Sequence, residues 1–253
     1  MSNKLSALLK QALKQDPVQN ALLKYYAKRA KKMSRDIVIG ETHPSQFNGC
    51  GRALQFHWLS KFYGGRELPG MTLQEVFDNG TSFHRRFQRA LLKAGVISRA
   101  EIPIRDEEHG IVGTMDGELL LPEPGVLELK SINDYGFKSL MGPKSEHRMQ
   151  GITYCAATGY RFVLFCYENK NDQRKTWYPT RVEQKDVDSA QRTIEDANKK
   201  FHRKTFSVRI VGAAETAPSC KYCSYKEVCF DKSRMKQIVF PDTKLVGKRV
   251  MEV

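Results

Sequence analysis

Apolar residues recur at helical intervals toward both ends of the chain and at strand-like intervals in its middle. Leu5, Leu8 and Leu9, then Leu22, Leu23 and Tyr26, mark the apolar faces of two helices over 3–15 and 18–32, interrupted by Pro17. Phe47, Cys50, Leu54 and Trp58 form a third helical stripe over 45–60. Thr72 and Glu75 have capping-box spacing; they predict a helix that opens there, carries His84 and runs to about Lys93. Gly95 would cap it, and Asn79-Gly80 is a place for a kink. From residue 100 the period shortens. Strands are expected over 100–105, 110–121 and 125–131, separated by turn sequences at 106–110 and 122–125. A loop follows over 133–145, then a helix over 146–158 that stops at Gly159. Two more strands are expected over 160–167 and 176–182, and Val187, Ala190, Ile194, Ala197 and Phe201 mark a last long helix.

That order predicts an α/β fold, a central mixed β-sheet flanked by helices. No repeat, low-complexity segment or linker interrupts it, so 1–253 is expected to be a single domain. Its parts would be a basic helical extension over 1–44, a core over 45–215 that includes Cys50, and a cysteine segment with a basic tail over 216–253.

At 253 residues, 40% hydrophobic and 28% charged, the chain can bury a full core. No stretch approaches the roughly 18 apolar residues of a membrane helix. Met1-Ser2-Asn3-Lys4 opens no apolar signal region, so a cytoplasmic protein without membrane contact is expected. In that compartment six cysteines predict metal ligands or plain thiols rather than disulfides. The net charge of +14 is carried at the ends. Residues 1–32 hold seven lysines and Arg29 against Asp16 alone, and 199–253 hold thirteen basic against five acidic residues. Basic flanks around a near-neutral centre suit a polyanion gripped at its edges and processed in the middle.

Two constellations carry the chemistry. Asp116, in Gly113-Thr114-Met115-Asp116-Gly117, is followed twelve residues later by Glu128-Leu129-Lys130. Glu128 and Lys130 share one face of an expected strand, and Asp116 on the neighbouring strand completes a carboxylate pair. Val126, Leu127, Leu129 and Ile132 surround them, and charges in an apolar strand are costly unless they have a task. Hard oxygen ligands suit Mg2+ or Mn2+, which would polarise a phosphodiester and bind the attacking water, with Lys130 orienting that water or stabilising phosphate charge. The second constellation is sulfur: a C-x2-C-x5-C run of Cys220, Cys223 and Cys229, and a lone Cys50 about 170 residues upstream. Four thiolates can hold a structural Zn2+ or a [4Fe–4S] cluster. Tyr222, Tyr225 and Phe230 lie among them as a shield. Cys155 and Cys166 read as buried thiols and His109 as a solvated turn residue, while His43 and His147 have no partner visible in the sequence.

Together these motifs resemble the PD-(D/E)xK nuclease superfamily in its RecB-like branch, over roughly residues 45–232. The resemblance implies a restriction-endonuclease-like core. It also implies that His84, in Gly80-x3-His84, binds metal together with Asp116, Glu128 and the Leu129 backbone carbonyl. Gln150-x3-Tyr154 matches a helix face that would hold the substrate strand. The proline in the superfamily's name is absent, since Met115 precedes Asp116. The one-plus-three cysteine grouping is similar to that of iron–sulfur nucleases, namely CRISPR-associated RecB-like exonucleases and AddB-type and eukaryotic helicase–nucleases. It implies a [4Fe–4S] cluster on Cys50, Cys220, Cys223 and Cys229 rather than Zn2+, acting as a staple between the two ends of the chain.

The activity so implied is a Mg2+- or Mn2+-dependent DNA exonuclease acting on single strands or free ends, in a phage- or CRISPR-associated setting. No G-x4-G-K-[ST] phosphate loop is present, so unwinding would fall to a separate helicase or recombination partner. The alternatives are an endonuclease, a flap or prespacer-trimming nuclease, and a non-catalytic nucleic-acid-binding module. A homo-oligomer built by the basic N-terminal helices is compatible with the same pattern.

Overall fold

The computed structural model describes residues 17–33, 36–63, 70–209, 218–221 and 223–253; the helix expected over 3–15 and Tyr222 lie outside them. A five-stranded sheet runs in the order β1 (Ile97–Asp106), β2 (Ile111–Leu119), β3 (Gly125–Ile132), β4 (Phe162–Asn169) and β5 (Lys175–Arg181). β3 and β4 are parallel and the other neighbours antiparallel, which makes the sheet mixed, as expected. Around it lie α1 (Pro17–Met33), α2 (Gly51–Leu59), α3 (Met71–Lys93), α4 (Asp134–Lys138), α5 (Ser145–Thr158) and α6 (Gln184–His202). Three short helices follow, α7 (Pro218–Lys221), α8 (Lys226–Phe230) and α9 (Lys232–Lys236), then a hairpin of β6 (Thr243–Val246) and β7 (Arg249–Glu252). No helix among the described residues is long and apolar enough to cross a membrane.

β3 is central, so its alternating side chains feed two cores. Leu127 and Leu129 pack with Phe83 and Leu91 of α3. Val126 packs on the other side with Met115, Ile152, Phe165 and Ile194, in the core that includes α5 and α6. The parallel β3–β4 step requires a crossover, and α4 and α5 supply it. α5 lies close against β4 because of Gly151, where an added Cβ would stand 2.8 Å from Phe165 Cζ and 3.1 Å from Val163 Cγ1. The helix then stops at Gly159 (φ +80°), as the sequence predicts, whose N–H donates to the Cys155 carbonyl at 3.0 Å.

Several expectations need correction. The 45–60 stripe is helical only from Gly51, with Cys50 as its N-cap and a single 3-10 turn over Pro44–Gln46 before it. Gly49 at φ +82° breaks the continuity. α3 begins at Met71 with Gly70 as N-cap, so Thr72 is already inside the helix and the capping box is not used. Asn79-Gly80 does not interrupt it. On α1, Leu22 and Leu23 are each 43% exposed, whereas Ala30 is buried and Arg29 pairs with Asp78 of α3. His109 is buried rather than solvated: Nδ1 lies 2.8 Å from Asp106 Oδ2, and Nε2 lies 3.6 Å from Glu195.

The basic tail also does more than project charge. Val250 of β7 is fully buried and its N–H donates to Asn198 Oδ1 of α6 at 2.8 Å. Arg249 donates to buried Glu41 and to Glu107, both at 3.1 Å, and so ties the C-terminal hairpin to the segment before α2. Gly151→Val should lower the unfolding free energy by about 2 kcal/mol, because the added atoms meet β4 side chains that have no room to retreat. Urea unfolding beside the parent protein measures it.

Candidate active site and cysteine centre

Ladder pairing between β2 and β3 runs from Leu119–Gly125 only as far as Gly117–Leu127. Asp116 is the next residue on β2. Its Oδ2 accepts a hydrogen bond from the Leu129 N–H at 2.7 Å, so a side chain satisfies a backbone donor that the partner strand leaves free. The Tyr154 hydroxyl of α5 donates to the Thr114 carbonyl, further along β2 past its pairing with β3. Polar groups gather where the two strands part.

His84 approaches from α3, with Nε2 3.1 Å from the Leu129 carbonyl oxygen and Nδ1 3.3 Å from Asp116 Oδ1. Glu128 is 1% exposed. The Lys130 ammonium stands 2.6 Å from Glu128 Oε1 and donates to Gln150 Oε1 of α5 at 3.0 Å. Thus Asp116, Glu128, the Leu129 carbonyl, Lys130, His84 and Gln150 converge from β2, β3, α3 and α5. Tyr154 is brought to the same place, 3% exposed with its hydroxyl on Thr114, and so anchors β2 to α5.

Burial pushes the Glu128 carboxyl up, against the pull of the Lys130 ammonium. Burial works against the charge on Lys130 too, but Glu128 and Asp116 outweigh it and hold the ammonium protonated. His84 follows the same pattern: burial lowers its pKa, while the hydrogen bond and charge of Asp116 raise it further. Among the described residues Glu128 Oε2 has no hydrogen-bond partner. An orphaned carboxylate oxygen in the interior is costly, and a divalent cation would satisfy it. Carboxylates, a backbone carbonyl and an imidazole fit Mg2+ or Mn2+.

Two neighbours escaped the sequence reading. Glu101, on β1 at φ +52°, offers a carboxylate oxygen that lies with one ligand atom each of His84 and Asp116 inside a mutual 4.8 Å. Gln88, one helical turn beyond His84, donates to Glu101 Oε1 at 2.6 Å and to the Asp116 carbonyl at 2.9 Å. An exposed glutamate on a strand carries no spacing signal; the four-residue step from His84 to Gln88 was the only trace. His147, without a visible partner in the sequence, has Nδ1 2.8 Å from the Tyr167 hydroxyl, and burial pushes it down to about 4.

The four distant cysteines meet. Cys50, Cys220, Cys223 and Cys229 line one cavity with Phe56, Tyr225, Phe230 and Arg209. Gln55, fully buried, joins α2 to α6 by donating to the Ala197 carbonyl at 2.9 Å and to the chain beyond α6 by accepting from the Ser207 N–H at 2.7 Å. Phe56 stacks on Tyr225 with centroids 5.5 Å apart, which brings the cysteine segment over the start of α2. Burial pushes the Cys223 and Cys229 thiols up, while Arg52 and Arg209 beside Cys229 pull the other way. Apolar walls, cationic neighbours and four thiols fit an anionic iron–sulfur cluster.

No family model and no curated protein matches the chain. Among solved structures it is similar to SSO0001, at 17% identity and TM-score 0.49, over 85% of this chain and 97% of that one. It is also similar to LHK-Exo, an alkaline exonuclease from Laribacter hongkongensis, at 14% identity and TM-score 0.47, over 63% of this chain and 86% of that one. LHK-Exo in complex with dAMP aligns at 15% identity and TM-score 0.49, over 62% and 85% of the two chains.

Cys155 and Cys166 are fully buried, and burial pushes each thiol up to about 12. Because burial disfavours the thiolate, neither should react with iodoacetamide in the folded protein at pH 8, and both should react after denaturation. Mass mapping of the alkylated peptides checks this.

Proposed function

We propose that the chain is a divalent-cation-dependent DNA nuclease acting at free ends, with single strands as its substrate, and that a [4Fe–4S] cluster staples its two ends together. The observation that carries the reading is buried Glu128. It is a carboxylate with one ammonium partner and an unsatisfied oxygen, set where Asp116, His84 and the Leu129 carbonyl already converge.

A cation bound by those four groups would polarise the phosphodiester and lower the pKa of the attacking water. The chain's own groups do the rest. Lys130, held between Glu128 and Gln150, is fixed with its ammonium protonated and hydrogen-bonds the attacking water or a non-bridging phosphate oxygen. Gln150 is held on both sides, its carbonyl oxygen accepting from Lys130 and its amide hydrogen-bonding the Tyr154 hydroxyl, so it fixes the Lys130 ammonium in place beside the scissile phosphate. Thr81, His84, Arg85 and Glu101 line an open depression at the mouth, so a guanidinium stands where a DNA backbone would pass. The net charge of +14 favours a polyanionic substrate. The preference for ends and for single strands rests on the sequence resemblance.

The cysteine centre is read as structural. Its ligands come from the start of α2 and from the C-terminal segment, so a bound cluster closes a loop of about 170 residues. The test uses anaerobically purified protein with Mn2+ and end-labelled linear single-stranded DNA beside a closed circle. The linear strand should be degraded and the circle left intact, and Lys130→Ala should slow cleavage at least about 100-fold while DNA still binds. If both proteins bind the strand and neither cuts it, the chain is a binding module. The same preparation should be brown with about four irons per chain, lost in Cys50→Ser. A colourless protein with stoichiometric zinc would overturn the cluster.

A further inference from the structure

We propose that Glu101 is a further ligand of the divalent cation, and that Gln88 is the residue that positions it. The inference rests on the cation-dependent reading above and adds to it a residue that neither the sequence motifs nor the resemblance supplies.

The first support is distance. His84, Glu101 and Asp116 each offer a ligand atom, and these lie within 4.8 Å of one another. Ligands of Mg2+ or Mn2+ in octahedral geometry lie about 3 Å apart when adjacent and about 4.2 Å when opposite, so a small closure brings all three onto one ion. The second is charge. Asp116 and Glu128 bring two negative charges and Lys130 removes one, which leaves a divalent cation half-compensated. Glu101 supplies the missing charge. The third is the buried Glu128 carboxylate beside Asp116, whose Oε2 has no hydrogen-bond partner among the described residues. It lies outside the group of three within 4.8 Å, but the charges of Asp116 and His84 act on it, so an uncompensated carboxylate stands next to two of the three.

Gln88 explains why an exposed glutamate stays there. It is 4% exposed, and its amide nitrogen bridges Glu101 Oε1 and the Asp116 carbonyl, so the two ligand-bearing residues are held by one buried group. The Glu101 backbone is left-handed at φ +52°, a conformation that is strained for a non-glycine residue. Partners that hold a carboxylate in this way are expected to matter to the metal as well as to the fold.

The test is calorimetric titration of Mn2+ into the holoprotein and into Glu101→Gln, Glu128→Gln, Gln88→Leu and the Glu101→Gln/Gln88→Leu double variant. Melting temperatures without Mn2+ confirm that each is folded. Glu101→Gln, isosteric and at an exposed position, should weaken Mn2+ at least about 10-fold without lowering the metal-free melting temperature. Gln88→Leu should weaken Mn2+ in the parent background and have no further effect once Glu101 is Gln, a coupling that general loosening of the fold would not produce. If Glu128→Gln weakens Mn2+ while Glu101→Gln binds it like the parent, Glu101 is not a ligand and the nuclease reading stands. If the parent itself takes up no Mn2+, the proposal and the reading beneath it both fall.

Discussion

Glu128 sits between Leu127 and Leu129, each fully buried, on a strand covered on both faces. An ionised carboxylate loses its hydration there at a cost of several kcal/mol, and one lysine at 2.6 Å returns part of that. The remainder is left uncompensated, and other polar groups are gathered around it. β2 leaves its ladder with β3 where Asp116 can turn inward and occupy the Leu129 N–H. α3 carries His84 to the Leu129 carbonyl, and α5, drawn down on β4 through Gly151, brings Gln150 to Lys130. Take away the buried carboxylate and there is no evident reason for these polar groups to converge inside two hydrophobic cores.

The second constraint is that the C-terminal region must reach α2 and the segment before it. The Arg249–Glu41 pair, the Val250 contact to α6 and the buried Gln55 all draw the C-terminal region against α2 and the segment before it. These contacts bring Cys50 and the three C-terminal cysteines around one cavity. A cluster would lock that arrangement, and the sheet between the two ends would be held in the register on which the carboxylate site depends.

Much of this was legible in the sequence because it is local and periodic. The five strands and α6 follow from spacing alone, and Asp116, Glu128 and Lys130 stand out as charges in apolar strands. What stayed hidden is long-range. The β6–β7 hairpin has strands of only four residues bearing Lys244 and Arg249, a pattern too short and too basic to distinguish from a solvated tail. His109 reads as a turn residue because Glu195, which helps to bury it beside its local partner Asp106, is brought to it by α6. The unused Thr72–Glu75 box shows a valid local signal displaced by a helix that begins at Met71. Glu101 was invisible because its significance depends on a left-handed backbone and on Gln88, neither of which a strand pattern encodes.

The most direct test of the central claim is an anomalous-scattering map from crystals grown with Mn2+ and a nucleoside monophosphate. The account predicts a manganese peak in coordination contact with the Asp116 and Glu128 carboxylates, with the phosphate against Lys130. Manganese bound elsewhere, with Glu128 Oε2 satisfied by water alone, would contradict it.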